Sequence, residues 1–463
     1  MRAPGQILLL SCYELGHAPL HLASLLPVLR AAGYAPEAVD TAVEPLTDEA
    51  IARARFVAIA VPMHTALRLG EQLARRIRSL NPAAHICFYG LYAWLNADYL
   101  LAEIADTTIG GEFEAPLLEV VSCLEHGIDL TIPGVSTRRQ NSTAGITRSS
   151  LIQMDRAALP PLEKYARLEW RGEARLVGSA ESTRGCKHTC QHCPITPVYQ
   201  GRFFAIPAET VLADIRAQVA QGAQHITFVD PDFFNGPTHA LRITRALHSE
   251  FPDLTFDATI KVEHLLKHRH LLPELKENGC IFIVSAVESL NNEVLACLHK
   301  GHTRADIAEV FDLVEQVGIA LRPSLMPFSP WETLESYINL LTFFEQRHLV
   351  EHVDPVHFSI RLLIPPGSAL LDAPDRSAWL GELDSAAYTY RWTHPDARMD
   401  DLQRKVAALV EQAQRVQADP LETFFHIKSL ALEEQGQNIC ISCSIGGYGT
   451  RKIVPHLTET WFC

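Results

Sequence analysis

The stretch Cys186-Lys-His-Thr-Cys190-Gln-His-Cys193 decides how the rest of this chain is read. Three cysteines stand at C-x3-C-x2-C spacing, shortly after the strand-like run Ala174-Arg-Leu-Val-Gly-Ser. A loop this tight turns its thiolates toward one centre, and thiolates are the ligands that iron–sulfur clusters take. A 4Fe–4S cube ligated by only these cysteines keeps one iron without a protein ligand, and an open metal position marks chemistry rather than structure. The rival is a structural zinc site with His188 or His192 as fourth ligand. Zinc modules more often show paired C-x2-C units separated by a dozen or more residues, which favours the cluster.

Downstream of the cysteines, strand and helix signals alternate. Helices are expected over 208–221, 237–250, 262–278, 304–316 and 333–345, and strands over 225–229, 255–260, 281–286, 320–325 and 357–363. With the opening strand and the cysteine loop, this pattern resembles the radical S-adenosylmethionine superfamily across roughly residues 175–370. The resemblance implies a partial (β/α)6 barrel over 173–370 with its chemistry at the carboxyl ends of the strands. It also implies that S-adenosylmethionine grips the open iron through its amino and carboxylate groups, with electrons from a donor such as flavodoxin or ferredoxin.

Polar residues fall at the strand ends. Asp230 and Asp232 follow the second strand, where the resemblance implies contact with the methionyl end of S-adenosylmethionine. Lys261 ends the third strand, and Glu288 and Ser289 end the fourth, where relatives place hydrogen bonds to the ribose or carboxylate. Arg322 on the fifth strand and Arg361 on the sixth are each suited to bidentate pairing with a carboxylate. The plainer reading of each is a polar group satisfied inside the barrel.

A chain of 463 residues accommodates two or three domains, and its 47% hydrophobic and 20% charged residues are those of a globular protein. Its net charge of −14 argues against nucleic acid or an anionic membrane as the main partner and leaves small molecules as substrates. No apolar run approaches the ~20 residues of a membrane span, and no signal peptide precedes the short run Ile7-Leu-Leu-Leu. Eleven cysteines, six of them within 186–193 and 440–463, do not form a disulfide framework, so a reducing cytoplasm is expected.

Residues 1–130 alternate strands near 7–12, 56–61, 85–89 and 107–109 with helices near 21–32, 66–80 and 115–126. That order predicts a doubly wound, flavodoxin-like parallel sheet. This half resembles the cobalamin-binding-like domain that precedes many radical S-adenosylmethionine domains, as does its turn Gly110-Gly-Glu-Phe-Glu114. Those domains often carry Asp-x-His-x-x-Gly after the first strand, whereas this chain has Tyr13-Glu-Leu-Gly-His17. Cobalamin is therefore not favoured, and a domain that keeps the fold without the cofactor is expected. Residues 131–172 read as a linker, polar at Thr137-Arg-Arg-Gln-Asn-Ser-Thr and punctuated by Leu159-Pro-Pro-Leu.

The region 371–463 is expected to be helical over 375–430 and then to end in a cysteine-rich tail. Cys440-Ile-Ser-Cys443 precedes a glycine-rich turn, Gly446-Gly-Tyr-Gly449, and Cys463 follows Thr458-Glu-Thr-Trp-Phe462. Three readings are open: a second cluster, a zinc site with His456, or capture of a soft trivalent centre such as arsenite by three thiolates. The tail resembles that of a superfamily subgroup ending in Cys, then selenocysteine or cysteine, then Ala-Glu-Pro, which includes arsinothricin biosynthesis. This chain stops at the first cysteine of such a tail, as if the extension were missing or a selenocysteine codon had been read as a stop.

The resemblance implies transfer of the 3-amino-3-carboxypropyl group of S-adenosylmethionine to trivalent arsenic, forming hydroxyarsinothricin, with Cys440, Cys443 and Cys463 holding the arsenic. The alternatives are a 5′-deoxyadenosyl-radical enzyme or cobalamin-dependent methyltransferase acting on a small molecule, and a non-catalytic metal- or metalloid-binding protein.

Overall fold

Two parallel sheets organise the chain, and the computed structural model describes residues 1–146, 154–449 and 451–459 of it. In the first sheet β1 (Ile7–Ser11), β2 (Glu37–Asp40), β3 (Phe56–Ala60), β4 (His85–Tyr89) and β5 (Thr107–Ile109) run parallel in the order β2-β1-β3-β4-β5. β1 and β3 are buried along their whole length because helices cover both faces, which is why they read as unbroken apolar runs rather than alternating ones. Helices Leu20–Ala31 and Glu114–His126 pack on one face with Leu22, Leu25, Leu117 and Val121, while His64–Leu80 and Ala97–Glu103 cover the other. The flavodoxin-like expectation is met. The stretch read as a linker also joins this sheet, because β6 (Val135–Thr137) pairs antiparallel with β5.

The second sheet is the curled half-barrel. β7 (Arg167–Trp170) and β8 (Glu173–Ala180) form a hairpin, and β9 (Thr183–Gly185) pairs with β10 (Phe203–Ala205) across the loop that bears the cysteines. β8, β11 (His225–Phe228), β12 (Thr255–Thr259), β13 (Cys280–Glu288) and β14 (Ala320–Leu325) are parallel neighbours. Beyond them lie an antiparallel hairpin, β15 (Leu380–Asp384) and β16 (Thr389–Trp392), and the two-residue strand β17 (His456–Leu457). β17 pairs antiparallel with β7, so the chain's tail extends the open flank of the half-barrel.

Four expectations change. The sixth strand shrinks to a 3-10 turn at Pro355–Phe358 and a single bridge between Phe328 and Arg361, because prolines bracket the run and cannot donate to a ladder. The helix expected over 262–278 breaks into Val262–Lys267, a 3-10 turn and Leu272–Glu277, with Pro273 opening the last piece. The region 375–430 is not helical throughout, since the aromatic stretch Tyr388–Trp392 builds the β15–β16 hairpin before the helices Ala397–Arg415 and Pro420–Glu433 begin. Gly446 and Gly447 lie inside the helix Ile441–Gly447 rather than in a turn.

Side chains tie the two sheets together. The Tyr165 hydroxyl donates to Asp40 at 3.0 Å, and His64 Nε2 lies 2.8 Å from the Ala387 carbonyl, docking the hairpin on the first domain. No helix among the described residues is long and apolar enough to cross a membrane.

Candidate active site

The cysteine loop sits over the carboxyl ends of the half-barrel strands and is braced from beneath. Asn235 donates to the Gly185 carbonyl at 3.3 Å and accepts the Lys187 amide at 3.2 Å. Asp230, buried at the end of β11, accepts Ser182 N (2.9 Å), Ser182 Oγ (2.7 Å) and Thr183 Oγ1 (2.6 Å), fixing the approach to the loop. Asp232 caps the Phe234 amide at 3.1 Å and takes two imidazoles, His188 at 3.2 Å and His264 at 2.6 Å. Burial alone would raise the Asp232 carboxyl, yet the two histidines bring it down to about 2.

Cys186, Cys190 and Cys193 lie close enough for their charges to interact, and none is in a disulfide. Burial pushes the Cys186 thiol up to about 12 and the Cys193 thiol up to about 11. Thiols raised in this way carry their protons at neutral pH, and a metal bound by them would have to displace those protons.

A second group faces the loop from β13. Lys300 Nζ donates to Glu288 Oε1 at 3.0 Å, and His192 Nε2 lies 3.3 Å from the same oxygen. Lys300 is buried and also interacts electrostatically with Cys190 and Cys193. Desolvation raises the Glu288 carboxyl, but Lys300 and then His192 outweigh it and hold the group well below the usual carboxylate range. Glu288 has φ +64°, a left-handed conformation at an irregularity in the β13–β14 pairing. A non-glycine residue held there stores strain of roughly 1–3 kcal/mol, a pattern concentrated at functional sites.

The remaining expected residues divide. Lys261 joins the cysteine loop, with Nζ 3.2 Å from His188 Nδ1 and 3.2 Å from Glu263. His188, Asp232 and His264 place ligand atoms within 4.8 Å of one another, but the neighbouring Lys261 ammonium makes this a hydrogen-bonded brace. The Ser289 hydroxyl is taken by Glu332 at 2.6 Å. Arg322 pairs with Asp354 at 2.7 Å inside the half-barrel. Arg361 turns away to Asp400 at 2.6 Å and stacks over the Trp392 ring at 3.5 Å, pinning a later helix.

Cys440 and Cys443 are exposed, joined as a disulfide, on a helix anchored where the Tyr448 hydroxyl accepts the Val350 amide at 3.0 Å. That segment does not fold over the cysteine loop. His456 lies elsewhere, in β17 with Nε2 3.4 Å from Glu169. Cys463 lies outside the described residues.

The model of the radical SAM superfamily matches residues 180–343. Those residues are a radical SAM domain. The ribosomal protein uS12 methylthiotransferase RimO of Parabacteroides distasonis is 25% identical over 168 residues, 34% of this chain and 39% of its own. The tRNA-2-methylthio-N(6)-dimethylallyladenosine synthase of Prosthecochloris aestuarii is 22% identical over 192 residues, 40% of this chain and 43% of its own. The matches thus span about two fifths of these curated relatives.

Among solved structures, the radical enzyme OxsB, with aqua-cobalamin and S-adenosylmethionine bound, aligns with a TM-score of 0.71 at 15% identity, covering 92% of this chain and 71% of that one. TsrM from Kitasatospora setae, with tryptophan and a S-adenosylmethionine analogue bound, aligns at 0.57 and 19% identity, covering 74% and 71%. These are likenesses of fold.

Within the radical SAM domain, sequence reading missed Lys300, His192 in its role beside Glu288, and the His188–Asp232–His264 brace. The one available signal for Lys300 was a basic residue closing the short segment after Glu288-Ser289, and nothing in its spacing separates it from a surface lysine.

Proposed function

We propose that this chain is a radical S-adenosylmethionine enzyme that transfers a 3-amino-3-carboxypropyl group to trivalent arsenic supplied as arsenite. Cys186, Cys190 and Cys193 would hold a 4Fe–4S cluster, which supplies the single electron for cleavage of a carbon–sulfur bond. The Lys300–Glu288 pair offers opposite charges 3.0 Å apart, complementary to the carboxylate and ammonium of the cosubstrate's methionyl end. Lys300→Met is expected to raise the KM for S-adenosylmethionine about 10–100-fold, as losing a hydrogen bond to a charged group predicts. Iron content per chain should stay unchanged, which separates this role from support of the cluster.

The observation that carries the arsenic reading is the course of the tail. β17 lies along β7, and Leu457 and Glu459 border the cavity inside the half-barrel, beside Asp257 and Arg322. Cys463 lies outside the described residues, and the reading assigns its thiol to holding a soft trivalent arsenic, so that the reaction is positioned rather than encountered. Cys440 and Cys443 serve this role only as reduced thiols brought from their present place.

Anaerobic incubation with reductant, S-adenosylmethionine and arsenite should yield methylthioadenosine and an arsenic–carbon product. Release of 5′-deoxyadenosine instead overturns the transfer. Cys463→Ala should lose at least 10-fold in arsenite turnover while S-adenosylmethionine binding persists. The likeness in fold to OxsB and TsrM favours a second reading, cobalamin-dependent methyl transfer, and S-adenosylhomocysteine among the products would identify it.

A further inference from the structure

A cluster that spends an electron on the bond it breaks is refilled by a reductant from outside the protein. The cysteine loop has an inner and an outer side. From the half-barrel, Lys300, bonded to Glu288, interacts with Cys190 and Cys193, and just before the loop Arg184 ties the chain to Glu112 and Glu114 of the N-terminal domain. Lys187 and Thr189, between the cysteines, are both exposed.

On this exposed side the sign of the surface reverses. The chain carries −14 overall, yet the exposed cations Lys187, Arg202, Arg242 and Lys267 make no ion pair among the described residues. Arg202 bonds only the Tyr199 carbonyl and the Gln200 side chain, and Arg242 only the His239 ring. These cations border one loop. Phe203 pairs with Gly185, which sets Arg202 beside Cys186. A Cβ on Gly201 would stand 3.5 Å from the Lys187 carbonyl, so that turn lies directly against the cysteines. One on Gly236 would stand 3.5 Å from His239 and 3.7 Å from the Phe203 ring, which brings the helix Pro237–Glu250, with Arg242, to the same edge. On the other flank, burial and then the charges of His264, Lys267, Lys187 and His270 lower the His268 imidazole, so these groups are near neighbours. The carboxylates close by are engaged. Asp232 is buried between His188 and His264, Glu263 is held by Lys261 at 3.2 Å, and Glu309 pairs with Arg269 at 2.8 Å.

We propose that this basic rim is the docking surface on which an acidic electron-carrier protein delivers its electron to the cysteine loop. Unpaired cations of one sign steer a partner of opposite sign and hold it briefly, which suits a carrier that must leave after each transfer. Small interfaces are characteristic of such redox encounters. RNA is the other polyanion that fits the sign, and the rim's place around the cysteines favours the carrier. The docking surface presupposes the cluster proposed for this loop and does not depend on arsenite as substrate.

The test uses the full chain with its cluster reconstituted, and a reduced bacterial flavodoxin as probe. Bleaching of the cluster's visible absorbance measures its reduction, first by flavodoxin and then by dithionite, which needs no docking surface. In the double variant Lys267→Glu, Arg242→Glu the rate with flavodoxin should fall at least about 10-fold, while the rate with dithionite stays that of the parent. Raising ionic strength from about 20 mM to about 200 mM should slow the parent with flavodoxin and leave the variant nearly unchanged. A variant reduced by flavodoxin as fast as its parent, or a parent rate indifferent to salt, overturns the proposal. So does transfer RNA that binds the parent and displaces flavodoxin at equimolar concentration. A chain whose absorbance dithionite cannot bleach removes the cluster as well, so the two failures are told apart.

Discussion

Cys186→Ala, Cys190→Ala and Cys193→Ala are each expected to reduce S-adenosylmethionine cleavage to background. The expectation is all-or-none because the three sulfurs are the only protein ligands the loop offers to one centre, so removing any of them leaves a second iron open. Neighbouring imidazoles are not ready substitutes: His188 is engaged by Asp232 at 3.2 Å and His192 by Glu288 at 3.3 Å. Iron and sulfide content with visible absorbance after anaerobic reconstitution, alongside nucleoside release, checks the result. One variant that still cleaves S-adenosylmethionine removes the cluster from this loop. Because the loop is pinned by Asp230 and Asn235 rather than by the thiols, the variants should fold, and circular dichroism should match the parent.

Arg184→Met should produce a large loss of stability. The Arg184 side chain is 7% exposed and meets Glu112 at 3.0 Å, Glu114 at 2.8 Å and Glu181 at 2.7 Å. Replacing the one cation leaves buried carboxylates uncompensated, a change that typically costs about 3–5 kcal/mol. Burial, opposed by Arg184, already raises the Glu181 carboxyl to about 6. A carboxyl whose folded value exceeds its unfolded value binds the proton more tightly when folded, so it removes stability as pH rises through that window. Without Arg184 the window widens, and the deficit should be smaller at pH 5 than at pH 8. Denaturant unfolding of both proteins at the two pH values measures this, and a variant as stable as its parent at pH 8 refutes the account.

Much of the architecture was legible because it follows from periodicity. Unbroken apolar runs such as Ile7-Leu-Leu-Leu can be satisfied only between two layers of helices, and the cysteine spacing names its own loop. Expectations failed where proline or aromatic residues compete with a helical or extended pattern. Pro355 ends the sixth strand before it forms, and Tyr388–Trp392 takes a hairpin inside a stretch whose charge suggested helix. Side-chain partnership was legible only in part. Lys261, Asp232 and Glu288 do converge on the cysteine loop, whereas Arg361, equally plausible on a strand, spends its guanidinium on Asp400 and Trp392. Lys300 was invisible because partners distant in sequence make a lysine internal, and one chain carries no record of them.

The pairing of β17 with β7 sets an order on biogenesis. Residues 456–457 are translated after every other strand of the sheet they complete. Until they emerge, β7 has no partner on that side and stands as the edge of the sheet. The flank of the half-barrel is thus completed by the last strand of the sheet to be synthesised.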